Sequence, residues 1–119
     1  MTEFADRRLH MVGIGGAGMS ALAAIAYAWG ADVDGCDTAA SAYTRRLERF
    51  GIRVELGHDR AHLDDGIDVV ISSAVPPDTD EVLEARVRGL NVLHRSELLA
   101  EMVAARRSIC VAGAHGKTT

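Results

Sequence analysis

The sequence predicts an α/β fold: a doubly wound, mainly parallel sheet of about five strands with helices on both faces. Two observations carry this. Short apolar runs alternate with helix-period segments along the whole chain, the spacing expected of strand–crossover–strand units. The first apolar run also ends in a glycine cluster that opens a helical segment, Gly13-Ile14-Gly15-Gly16-Ala17-Gly18. That strand–turn–helix context is where parallel sheets bind anions.

Each element follows from its pattern. Residues 9–14 are apolar, end in glycines and read as a strand. In residues 18–29, Met19, Leu22, Ala26 and Trp29 fall on one helical face. The other faces are mostly alanine, so structure is expected on more than one side of this helix. Residues 32–36 read as a weaker strand. Tyr43, Leu47 and Phe50 mark a second amphipathic helix, stopped by Gly51. Residues 52–56 alternate with period two, so one face meets water, as near a sheet edge. Residues 67–71 are almost continuously apolar, the pattern of a parallel strand covered on both faces. Pro76-Pro77 breaks the chain, and a third helix spans residues 78–88 up to Gly89. Residues 90–93 form the next strand. Ser96 is placed to N-cap a fourth helix through Leu99, Met102 and Val103. Residues 108–112 read as a further strand leading into a second glycine cluster. Right-handed crossovers place the ligand crevice at the carboxyl ends of the strands.

Composition limits the function. A chain of 119 residues, 48% hydrophobic, can bury one core without disulfides or metals. A net charge of −4 and 4% aromatic residues argue against nucleic acid or an anionic membrane as partner, which call for a basic stripe or stacking rings. Cys36 and Cys110 form no C-x-x-C pair and read as small apolar residues in a reducing compartment. The N-terminal residues lack a signal-peptide pattern, and residues 21–29 are too short to span a bilayer. A soluble cytoplasmic domain is expected.

In the first glycine cluster, Gly15 and Gly16 lack Cβ atoms, so backbone can approach a diphosphate and adopt unusual angles. Gly18 would let the helix pack on the first strand. The free N–H groups of the first helical turn favour an anion. Asp37 ends the second strand 24 residues after Gly13, near the distance at which a carboxylate accepts hydrogen bonds from a ribose. Its charge would repel a ribose 2′-phosphate. The cluster and Asp37 also fit an NAD-binding oxidoreductase or sensor domain, which is the alternative reading.

The second cluster, Gly113-Ala114-His115-Gly116-Lys117-Thr118-Thr119, lacks the first glycine of a strict phosphate loop because that position is Val111. Its G-K-T-T core still suits ATP. Gly116 lets the backbone curl, Lys117 reaches β- and γ-phosphates, and Thr118 can hold Mg²⁺. His115 could touch a phosphate or substrate. The helix and the acidic Mg²⁺ ligand that complete such a site do not follow in these 119 residues, so the chain reads as a fragment.

Other candidates are weaker. His58 and His62 lie four apart, but no third ligand clusters with them, so zinc is not expected. His58 follows the third strand and could contact substrate. His10 reads as a packed histidine within its strand. Asp37 beside Cys36 disfavours a thiolate there. Asp78, Asp80 and Glu81 read as favourable charges near a helix N-terminus. No nucleophile-elbow pattern is present.

Taken together, the clusters resemble the N-terminal end of the Mur ligases. His10-Met11-Val12-Gly13-Ile14-Gly15-Gly16-Ala17-Gly18-Met19-Ser20 and Gly35-Cys36-Asp37 carry the likeness. Gly57-His58, Ser72-Ser73-Ala74-Val75-Pro76, His94-Arg95-Ser96-Glu97-Leu98-Leu99 and the terminal cluster continue it. The resemblance implies an ATP-dependent ligase of peptidoglycan precursor synthesis. ATP phosphorylates the lactyl carboxylate of UDP-N-acetylmuramate, and the amine of L-alanine displaces phosphate from the acyl phosphate. It further implies a Rossmann-like UDP-substrate domain over residues 1–107 and the opening strand and phosphate loop of an ATPase domain over residues 108–119. Gly15, Gly16, Ala17 and Gly18, with Met19, would cradle the UDP diphosphate. Asp37, His58, Ser72 and Ser73 would line the uridine end. Gly113 to Thr119 would hold ATP, with Lys117 on its phosphates and Thr118 on Mg²⁺. The fragment alone is expected to be inactive and to hold no cofactor tightly.

Overall fold

The computed structural model describes residues 4–58 and 63–117, with side chains as far as Arg107. The elements run β1 (Arg8–Val12), α1 (Ala17–Ala28), β2 (Asp32–Asp37), α2 (Ala42–Phe50), β3 (Arg53–Leu56), β4 (Asp68–Ile71), α3 (Asp80–Val87), β5 (Val92–His94) and α4 (Arg95–Lys117). The strands form one sheet in the order β3-β2-β1-β4-β5, with every pairing parallel.

Alternation along the strands assigns the two faces. Leu9 and Met11 of β1, Val33 of β2 and Val70 of β4 point into a core shared with Met19 and Leu22 of α1, Leu47 of α2, and Leu98 and Met102 of α4. Val12, Cys36 and Val69 point the other way and pack with Ala85 of α3. Neighbouring residues such as Val69 and Val70 are therefore both fully buried. This is why β1 and β4 read as unbroken apolar runs. β3 lies at the sheet edge, as its alternation predicted.

Helix α1 is flanked by α2 and α4 and buries Met19, Leu22 and Ala26, in line with its alanine-rich faces. Trp29 closes it and meets Phe4 edge to face at 5.4 Å. At the start of α2, the Ser41 hydroxyl accepts the Thr44 N–H at 3.2 Å and the Thr44 hydroxyl accepts the Ser41 N–H at 2.8 Å. Gly51 ends α2 at φ +101°, a left-handed cap that favours glycine. Ser41→Ala is expected to cost about 1 kcal/mol in urea unfolding, the usual loss for such a cap. An unchanged midpoint would mean that the reciprocal bonds do not hold α2.

Three details differ from the sequence reading. In α2 only Thr44 and Leu47 are buried, while Tyr43 and Phe50 stay about half exposed, because a short helix beside an edge strand offers one narrow contact line. Helix α4 docks through Leu98, Met102 and Ala105, leaving Leu99 and Val103 exposed. It begins one residue before Ser96, and His94 is its cap. The His94 Nδ1 accepts the Ser96 N–H at 3.2 Å, and Glu97 accepts the His94 N–H at 3.0 Å.

The largest difference is residues 108–117. They continue α4 to Lys117 instead of forming a strand and a phosphate loop. A helix satisfies its N–H and C=O groups internally, whereas a strand needs a neighbour. Among the described residues no strand pairs with this stretch. The run Ala104-Ala105-Arg106-Arg107 before it also favours a helix.

Candidate functional site

The strand order reverses beside β1. The chain runs outward through β2 and β3, then crosses to β4 and β5 on the other side. A crevice opens at the carboxyl ends of the strands at such a switch point. Here it is a cleft of about 540 Å³ lined by the glycine turn, Met19, Asp37, residues 38–41, His58, Ser72 and Arg95.

The turn is pinned to β2. The Gly13 and Ile14 N–H groups donate to the Cys36 carbonyl at 2.8 and 3.0 Å. Gly13 takes φ +76°, so the left-handed residue is Gly13 and not Gly15 or Gly16. Gly16 is extended at φ −67° and caps α1. Gly15 is needed for space, because a Cβ there would lie 2.7 Å from the Asp37 carboxylate and 3.0 Å from Thr44 Cγ2.

Asp37 braces this turn. One carboxylate oxygen accepts the Gly15 N–H at 2.7 Å, and the other accepts the Thr38 N–H at 2.7 Å. Charge-assisted bonds of this kind are the stronger class. They fix the turn beside the N-terminus of α1.

Gly18 faces Arg95 rather than β1, as the sequence had suggested. A Cβ on Gly18 would sit 2.5 Å from the Arg95 guanidinium. Among the described residues Arg95 has no acidic partner, and it lies at the positive end of α1. A cation and a helix N-terminus side by side favour an anion between them. Sequence reasoning gave Arg95 no role. Its signal was position: it directly follows β5, at the carboxyl end of a parallel strand.

The predicted substrate residues separate. Gly15, Gly16, Gly18, Met19, Asp37, His58 and Ser72 line the cleft, but Ala17 and Ser73 do not. The Ala17 carbonyl accepts the Ser20 hydroxyl, and the Ser73 hydroxyl bonds to His94 Nε2 at 3.1 Å. The predicted ATP residues Gly113, Ala114, His115, Gly116 and Lys117 lie on helical backbone, whose N–H groups bond within the helix and offer no phosphate cradle. Thr118, Thr119 and His62 fall outside the described residues.

A polar cluster lies under the cleft on the α3 face. Glu81 is fully buried instead of being a surface charge at the start of α3, and His10 and Cys36 are buried with it. The Cys36 thiol donates to Glu81 at 2.6 Å. His10 Nδ1 donates to Asp34 at 2.9 Å, and Arg53 donates to the other Asp34 oxygen at 3.0 Å. Burial opposes a charge on His10, yet its bonds to Asp34 and Glu81 carry its pKa above the usual imidazole value. Burial likewise opposes ionisation of Asp34, but His10 and Arg53 hold its pKa below the usual carboxylate range. Burial, then the bond to Glu81, pushes the Cys36 thiol well above its ordinary range. It is no nucleophile, as its neighbour Asp37 had suggested.

A model of the Mur ligase family, catalytic domain, matches residues 8–107. The chain belongs to the Mur ligase family. It is 54% identical over 95% of its length to a UDP-N-acetylmuramate–L-alanine ligase of Symbiobacterium thermophilum, of which it spans 23%. A protein of the same name from Acidothermus cellulolyticus is 53% identical over 94% of the chain, which spans 24% of it. This Mur ligase chain thus spans about a quarter of the length of the curated relatives it matches. Among solved structures, the UDP-N-acetylmuramate-alanine ligase MurC of Thermotoga maritima superposes with a TM-score of 0.78 at 30% identity. The match covers 82% of this chain and 23% of that one. The UDP-N-acetylmuramate:L-alanyl-gamma-D-glutamyl-meso-diaminopimelate ligase of Neisseria meningitides gives a TM-score of 0.74 at 35% identity, covering 80% of this chain and 30% of that one. Among the described residues no helix of this Mur ligase chain is long and apolar enough to cross a membrane.

Proposed function

We propose that the chain is the UDP-N-acetylmuramate-binding part of a cytoplasmic, ATP-dependent ligase that joins L-alanine to that substrate through an acyl phosphate. The observation that carries this reading is the 54% identity, over 95% of the chain, to a relative named for that reaction. The cleft supports it. The diphosphate sits over the turn at Gly15 and Gly16, against the N–H groups of α1 and the Arg95 guanidinium. The uridine end lies toward Asp37, residues 38–41 and Ser72, which line the same cleft. His58 borders it from the end of β3. The domain carries a net charge of −4, so an anionic substrate is held by these local groups and not by the overall field.

In this reading ATP belongs to residues 113–119, with Lys117 on its phosphates and Thr118 on Mg²⁺. Those roles require a loop in place of the helical backbone that reaches Lys117. L-Alanine and the reacting carboxylate are handled by parts of the relatives that this chain does not span. The chain alone binds the UDP substrate and does not ligate.

Calorimetry with UDP-N-acetylmuramate, ATP and NAD⁺ in separate titrations tests the reading. One equivalent of the UDP substrate is expected to bind, with ATP and NAD⁺ weaker. Tighter NAD⁺ binding would favour an oxidoreductase or sensor domain instead, and phosphate release from ATP with L-alanine would overturn the inactivity of the chain. Arg95→Ala is expected to lower affinity for the UDP substrate about 10- to 100-fold, or about 1.4–3 kcal/mol, the range for a hydrogen bond to a charged group. The loss should shrink at high salt. Unchanged affinity would remove Arg95 from the diphosphate.

A further inference from the structure

The polar cluster under the cleft has a composition that hydrogen bonding alone does not demand. Four side chains from four parts of the chain converge on the α3 side of the sheet: His10 from β1, Cys36 from β2, His58 just after β3, and Glu81 from the first turn of α3. Their donor atoms are close. His58 Nδ1 lies 3.3 Å from Cys36 Sγ and 3.2 Å from one Glu81 oxygen, and His10 Nε2 lies 3.5 Å from the other. The ligand atoms of His10, Cys36 and Glu81 all fall within 4.8 Å of one another.

We infer that His10, Cys36, His58 and Glu81 form a binding site for one divalent ion of the zinc type. Two imidazoles, one thiolate and one carboxylate are a tetrahedral donor set for a borderline-soft metal. Bonds of 2.0–2.3 Å to such an ion separate neighbouring donors by about 3.4 Å, close to the three longer separations here. The 2.6 Å contact between Cys36 and Glu81 opens as the ion takes the place of the thiol proton, which leaves to solvent. The thiolate and the Glu81 carboxylate together neutralise the ion's two positive charges, so the filled site is neutral in a buried setting.

The surroundings fit a metal as well. The bond from His10 Nδ1 to Asp34 leaves Nε2 as the free lone pair and aims it at the cluster. Arg53 in turn holds Asp34 at 3.0 Å. Carboxylates placed behind a ligating imidazole in this way fix its tautomer and raise its basicity. Access comes through His58, whose side chain is 26% exposed and borders the cleft, while the other three ligands are buried. Cys36 adjoins Asp37, so a bound ion would tie the ends of β1, β2 and β3 together directly beneath the glycine turn. The site stands whatever nucleotide the cleft takes.

Cobalt(II) added alone to the full chain tests this, because tetrahedral thiolate sites colour it strongly. One equivalent is expected to give intense visible bands and a near-ultraviolet sulfur-to-cobalt charge-transfer band, both displaced by one equivalent of Zn²⁺. Cys36→Ser should abolish the charge-transfer band and Cys110→Ser should keep it. His58→Ala, at the exposed edge, should weaken Zn²⁺ at least tenfold while the metal-free protein melts as before. A pale six-coordinate spectrum, a charge-transfer band that survives Cys36→Ser, or no uptake would overturn the site and leave a hydrogen-bonded cluster.

Discussion

Gly35→Ala is expected to destabilise the chain by about 3 kcal/mol, at the upper end for overpacking a well-filled core. Gly35 lies in β2 opposite Met11 of β1. A Cβ there would sit 2.5 Å from the Met11 carbonyl oxygen, 2.6 Å from Ile14 Cδ1 and 2.8 Å from Ile14 Cβ. None of these can yield cheaply. β1 is bonded to β2 on one side and β4 on the other, so its carbonyl is held by the ladder. Ile14 is fully buried, and its own N–H is tied to Cys36. The substitution also removes backbone freedom from the unfolded chain, but that gain of about 0.4–1 kcal/mol is smaller than the clash. Urea unfolding should show a lower midpoint with an unchanged slope. A loss below about 1 kcal/mol would mean that β1 and β2 separate locally without disturbing the core.

Much of this architecture was legible because strands buried on both faces must be apolar throughout. Residues 67–71 and 9–14 announced β4 and β1 for that reason, and the alternation of residues 52–56 placed β3 at an edge. What stayed hidden depends on partners far away in sequence. The stretch at residues 108–112 is short and apolar, a pattern that periodicity alone does not separate into helix or strand. The absence of a neighbouring strand among the described residues decides for the helix. Glu81 looked like a first-turn charge because spacing cannot show that α3 lays it against His10 and Cys36.

The glycine turn was recognised, but its glycines carry different burdens than the motif suggests. Gly13 supplies the left-handed angle, Gly15 makes room for Asp37, and Gly18 makes room for Arg95. Arg95 itself is a single arginine in an ordinary helix start. Only the closure of the sheet brings it to α1.

Gly16→Ala separates the role of the fold from the role of the ligand, and a large loss of affinity with little loss of stability is expected. A Cβ on Gly16 would have the Gly13 carbonyl as its nearest neighbour at 3.6 Å, an ordinary contact. The backbone there, φ −67° and ψ 149°, suits alanine. The free protein therefore accepts the methyl group, at a cost of about 0.5–1 kcal/mol for a poorer helix cap. The same methyl borders the cleft, where the proposed diphosphate must touch backbone. Affinity for UDP-N-acetylmuramate should fall at least tenfold, or about 1.4 kcal/mol. Gly15→Ala provides the contrast. Its Cβ displaces the Asp37 carboxylate, so stability and affinity should both fall. Calorimetry paired with thermal melts reads the two effects apart. If Gly16→Ala binds the UDP substrate as tightly as the parent chain, the diphosphate does not rest on this turn, and the glycine at this position serves the cap alone.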